Sequence, residues 1–69
     1  MEIICTLHAK DRMKKRKITE DEVIHAIKNP DKTLKIRGKY YAQKNIGRAT
    51  IEVVYEKDKY IKIVTLYYL

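Results

Sequence analysis

At Pro30 the spacing of apolar residues changes, and this break constrains the fold more than any other feature of the chain. Before it they recur at helical intervals, as in Val23, Ala26 and Ile27. After it they alternate with polar residues, as in Ile51, Val53 and Tyr55. Proline disfavours helical geometry in the residue before it, so the helix has to stop there. A chain that is helical first and extended afterwards buries both apolar sides by laying helices on one face of a sheet.

The helix before Pro30 has a defined start. Thr19 to Glu22 reads T-E-D-E, a capping box in which the Thr19 hydroxyl accepts from the Glu22 amide and Glu22 reaches back. Ile18 and Val23 match a hydrophobic staple around it, and acids fill the first turn, where the helix dipole favours them. This predicts a helix to about Lys28. An earlier helix is expected from Leu7 to about Lys15, with Thr6 as its cap and Ala9 and Met13 on one face. Glu2 to Cys5 suits a short strand or the lead-in to that helix.

Strands are predicted at 33–37, 40–46, 50–56 and 60–68, with turns at Gly38, Gly47 and Lys57-Asp58-Lys59. The expectation is an α+β domain, two N-terminal helices on a three- to four-stranded antiparallel sheet, with a short N-terminal strand as an optional addition. The helices should cover the face bearing Ile51, Val53, Ile61 and Ile63. By simple alternation Val54, Val64, Leu66, Tyr60 and Tyr68 fall on the other face, an apolar surface either covered in part by the N-terminal strand or chain ends or open to a partner or a homodimer.

Sixty-nine residues make one domain, 1–69. No apolar run approaches the ~18 residues a membrane span requires, and the start turns polar too soon for a secretory signal. A lone Cys5 forms no internal disulfide, which points to the cytoplasm. Charge is uneven. Residues 1–18 carry six bases and two acids (+4), 19–31 one base and four acids (−3), and 32–48 six bases and no acid. The net +7 favours a polyanion such as RNA. The excess of Lys, with many Ile and Glu, is a bias of heat-adapted proteins.

Metal and cofactor chemistry find no motif. His8, His25 and Cys5 have no zinc-site spacing, and two glycines make no phosphate loop. His25 sits among polar helical neighbours, an ordinary solvated position. His8, Arg12 and Arg16, at i, i+4 and i+8, line one side of the first helix. In the first turn of that helix His8 is read as a group able to take a proton beside two fixed cations. A base and a cationic clamp are what RNA cleavage through the 2′-hydroxyl requires. The same three residues also suit the wet side of an amphipathic helix. Alternation puts Tyr67 on the helix-covered face, with its hydroxyl near the mouth of such a site.

Residues 8–30 read H-A-x-x-R-M-x-x-R-x-I-T-x-x-x-V-x-x-A-I-x-x-P. With Ile46-Gly47, I-x-V-V-Y and I-K-I-V-T-L-Y, this resembles a family of short prokaryotic proteins classed as a domain of unknown function. That family is similar to RelE-type and BrnT-type toxins. The resemblance implies an RNA-cleaving or RNA-binding toxin-like domain with helices on a twisted sheet; the first reading is a metal-independent endoribonuclease acting on RNA or the ribosome and held by an antitoxin. His8, Arg12 and Arg16 match the opening motif, and Arg48 and Tyr67 fall where later strands carry polar residues. Arg48 would then be a second clamp, and Tyr67 an orienting or proton-donating group. Lys17 stands where relatives commonly have Gly, a substitution that costs up to about 1 kcal/mol if the turn needs positive φ. Two other readings compete: a non-catalytic RNA-binding module, and a protein-interaction module using the second sheet face.

Overall fold

A computed structural model describes residues 2–69. It is an α+β fold in which β1 (Ile3–Cys5), α1 (Leu7–Arg16) and α2 (Glu20–Lys28) precede β2 (Lys32–Ile36), β3 (Lys39–Asn45), β4 (Thr50–Lys57) and β5 (Ile61–Tyr68). The sheet has five strands in the order β1-β5-β4-β3-β2 and is mixed rather than purely antiparallel. β2 to β5 form the expected meander, and β1 pairs with β5 in parallel, Ile3 opposite Ile61 and Cys5 opposite Ile63. Three residues are a weak strand signal, and their partner lies at the other end of the sequence, so alternation alone did not fix this strand.

The helix starts follow the sequence. The Thr6 hydroxyl accepts from the Ala9 amide at 3.1 Å, and both halves of the Thr19/Glu22 capping box form. Between the helices Lys17 takes φ 56°, with the Lys17 amide donating to Lys14 O and the Ile18 amide to Met13 O. This is the left-handed helix ending that glycine adopts without a Cβ penalty. It sends Ile18 inward (3% exposed) beside Val23. The β2–β3 hairpin turns through Arg37 (φ 52°) and Gly38 (φ 81°), a type I′ geometry.

Ala9, Ile18, Val23, Ala26 and Ile27 pack on Ile51, Val53, Tyr55, Ile61, Ile63 and Leu66. One irregularity decides what lies on each face. The β4–β5 register shifts between Val54 and Tyr55: Tyr55 faces Ile63, but Val54 faces Thr65, leaving Val64 bulged out of the ladder. Alternation therefore reverses along β5. Leu66 faces Val53 and Tyr68 faces Ile51 on the helix-covered side, while Tyr67 faces Glu52 on the open side. The placement of Tyr67 under the helices and of Leu66 and Tyr68 outside is thus corrected, because a bulge inverts the parity of every residue after it. The apolar second face shrinks accordingly: Leu66 is fully buried and Val54 only 4% exposed. No helix among the described residues is long and apolar enough to cross a membrane.

Candidate functional site

β1 ends where β5 bulges, and α1 starts there. The Thr6 amide donates to Ile63 O (3.1 Å) and the Thr6 hydroxyl to Val64 O (3.1 Å), so the helix cap is tied to the bulge. His8, in the first turn, then places Nε2 3.0 Å from the Thr65 hydroxyl. Thr65 shares its face with Val54, Tyr67 and Glu52. The exposed imidazole therefore meets the margin of the open sheet face, where β1 no longer covers the edge of β5.

Two residues on, that face carries a hydrogen-bonded cluster. The Tyr67 hydroxyl donates to Glu52 Oε1, and Gln43 Nε2 donates to Glu52 Oε2 at 2.8 Å. Gln43, Glu52 and Tyr67 form one row across β3, β4 and β5. Among the described residues Glu52 is the one buried charged side chain, 8% exposed, and its two oxygens are satisfied by these donors. The hydrogen bond to this carboxylate, with some burial, pushes the Tyr67 hydroxyl up to about 12. Tyr67 is therefore a poor proton donor at neutral pH and a good orienting group.

Arg12, one turn after His8, is half-buried; its Nε is out of reach of water and has no hydrogen-bond partner, and its Nη2 lies 3.8 Å from Asp11. Arg16 is exposed; its carbonyl accepts from the Tyr68 hydroxyl at 2.6 Å. It stands ~12 Å along the helix from His8, at a rise of about 1.5 Å per residue. Lys10, Lys14 and Lys15, with Lys17 at the C-cap, join these two in a basic helix with Asp11 as its single acid.

Arg48 is engaged elsewhere. Its guanidinium pairs with both Glu22 oxygens and donates to Lys17 O (2.8 Å) and toward the Tyr68 hydroxyl (3.5 Å). Arg48 and the Thr19 backbone amide hold the Glu22 carboxyl down to about 2. This pair fastens the β3–β4 loop to the turn between the helices. Of the five residues singled out in the sequence, His8 reaches the margin of the open face through Thr65, Tyr67 stands on that face turned toward Glu52, and Arg12 follows His8 one turn along α1. Arg16 and Arg48 gather at the far end of α1, around Tyr68.

Thr65, Glu52 and Gln43 escaped the sequence reading. An acid flanked by apolar residues (Ile51-Glu52-Val53-Val54) was the available signal for Glu52, since a carboxylate in such a setting needs partners. The two basic blocks meet where Arg48 donates to Lys17 O and otherwise lie apart. The first lies on α1, packed over β5 and β1; the second lies along β2 and β3, toward the opposite edge of the sheet. Two surface clefts are lined elsewhere: one by Glu56, Asp58, Tyr60 and Lys62, the other by Ile3, Cys5, Lys10, Met13 and Glu20. Burial pushes the Cys5 thiol up, with help from Glu20, which leaves it a poor nucleophile.

What these features define is a small α+β domain with a basic first helix and an imidazole at the margin of its open sheet face. Residues 5–68 match the model of a domain of unknown function, DUF4258, and the chain belongs to that family. No curated protein and no solved structure matches the chain.

Proposed function

We propose that the chain is an RNA-cleaving domain of the RelE-like kind, working without a metal and inhibited in the cell by a protein antitoxin. The observation that carries this reading is the His8–Thr65 hydrogen bond, which holds an exposed imidazole between the basic helix and the open face bearing Tyr67. In this scheme His8 takes the proton of a ribose 2′-hydroxyl as that oxygen attacks the adjacent phosphorus. The P–O5′ bond breaks, a 2′,3′-cyclic phosphate forms, and the imidazolium returns the proton to the departing 5′-oxygen. Arg12 and Arg16 supply cationic charge along the backbone. Tyr67, held by Glu52, orients the nucleotide. Arg48 has no part, because its donors already serve Glu22 and Lys17.

The test is RNA incubated with the protein, with and without ribosomes, beside His8→Ala and Thr65→Val variants. Scission by the parent and a loss of at least about a hundredfold in His8→Ala is expected for a proton-transfer group. Equal cleavage by both, or by neither, removes the assignment.

A second reading has its own observation: neither of the two clefts is lined by His8, Arg12 or Arg16. It is a non-catalytic RNA-binding module using the basic face of α1. It gives log affinity falling steeply with log salt, and no strand scission.

A further inference from the structure

β2 differs from every other element. It is an edge strand, all five of its residues are exposed, and the helices pack on β1, β3, β4 and β5 instead. The other edge, β1, is three residues long and runs straight into α1. Open edges invite pairing with other chains, and short ones do so least.

The type I′ turn fixes which β2 amides are free. In a two-residue hairpin the residues flanking the turn, Ile36 and Lys39, exchange both hydrogen bonds. Ladder bonds then alternate, so Ile36 and Leu34 point their amides at β3 while Lys35 and Thr33 point theirs outward. The outer edge of β2 thus offers a row of unpaired N–H and C=O groups.

The side chains add two further conditions. Leu34 (42% exposed) and Ile36 (51% exposed) stand on the open face, in the rows of Tyr41 and Lys39. Lys32, Lys35, Arg37 and Lys39 surround them, and residues 32–48 contain no acid. Among the described residues the ion pairs include none of these four; Lys35 lies 5.2 Å over the Tyr40 ring. A lysine-bearing edge guards against aggregation, but guarding does not need two apolar side chains exposed between the charges.

We propose that β2 is a docking strand for an acidic, extended protein segment that adds to the sheet as a sixth strand. Its apolar residues lie beside Leu34 and Ile36, and its Glu or Asp residues meet Lys35 and the flanking bases. Charge complementarity chooses this occupant. A second copy of the chain would set two acid-free basic strands side by side, where like charges oppose pairing. RNA would satisfy the charge, but a nucleotide chain does not match the alternating donors and acceptors of a strand edge along its length, as an extended polypeptide does. The inference is independent of the cleavage proposal, because β2 lies three strand spacings, ~14 Å, from β5 and the Thr65 that His8 contacts.

The experiment follows amide exchange by NMR in the full ¹⁵N-labelled chain. The probe is a short, end-blocked peptide of alternating Glu and Leu. Three comparators are used: its Lys-Leu counterpart, the acidic peptide N-methylated at alternate residues, and a short RNA. The acidic peptide should slow exchange at Thr33 and Lys35 at least tenfold, and more at low salt, while the comparators leave both amides unchanged. Thr33→Pro removes an outward donor without touching the β2–β3 ladder and should abolish the slowing; Leu34→Ser, which removes an exposed apolar contact, should weaken it. Absence of slowing with the acidic peptide overturns the proposal. So does equal slowing by the Lys-Leu or N-methylated peptide, stronger slowing by RNA, or protection that appears on raising the concentration of the protein alone.

Discussion

Replacing Leu66 by Ala tests the feature on which the composition of the candidate site depends. If Val64 bulges, Leu66 faces Val53 beneath the helices and is fully buried. The substitution removes three carbon groups, a transfer loss of ~2.4 kcal/mol at about 0.8 kcal/mol per group. The incompletely collapsed cavity raises the total to about 3 kcal/mol or more. For 69 residues the whole stability is of the order of 3–10 kcal/mol, so the loss is a large fraction of it. The melting temperature should fall by ~12–24 °C, from about 4–8 °C per kcal/mol for a domain of this size. Urea unfolding followed by circular dichroism measures the difference directly. Val64→Ala, at the half-exposed bulge, should cost less than about 1 kcal/mol. Leu66→Met, which conserves volume, should stay under about 1.5 kcal/mol and keeps the comparison usable if the Ala variant does not fold. A Leu66→Ala cost no greater than that of Val64→Ala would refute the bulge and return Tyr67 to the helix-covered side.

Three further outcomes follow from the same geometry. Glu22 has a carboxyl lowered from 4.5 to about 2, so its contribution is complete above the unfolded value and disappears as pH falls through that interval. Acid unfolding of Glu22→Gln should lack this component, and an identical acid limb would refute the Arg48 clasp. Tyr67 is raised from 10 to about 12, so its stabilisation is present below 10 and is lost as pH rises through that window. Burial raises Tyr55 as well, so ultraviolet titration should find more than one late phenol, and the one held by Glu52 should be removed by Tyr67→Phe and brought down by Glu52→Gln. Lys17→Gly, at φ 56°, should leave stability unchanged or raise it by up to about 1 kcal/mol, measured by thermal melting; a loss would contradict the left-handed turn.

Much of the fold was legible because its signals are local. A threonine cap, a capping box and a proline act within four residues, so both helices and their ends could be read from Thr6, Thr19 and Pro30. The alternation after Pro30 placed four strands within a residue or two of their observed limits. The candidate site was legible in part: His8, Arg12 and Arg16 share a helix, and helical spacing alone sets them on one side. Glu52 was not, because its environment comes from strands that meet it across the sheet.

The helices, the meander and the basic α1 face each depend on neighbours along the chain, and local pattern sets them. Tertiary structure alone decided three things: that β1 joins β5, that Arg48 clasps Glu22, and that β5 bulges at Val64. The bulge has no glycine to announce it; it lies in the pairing of β4 with β5, at the residue whose carbonyl accepts from the Thr6 hydroxyl. That single extra residue carries Tyr67 from the core side to the open face and Tyr68 the other way. Periodicity specifies which residues alternate; only pairing specifies where the alternation slips.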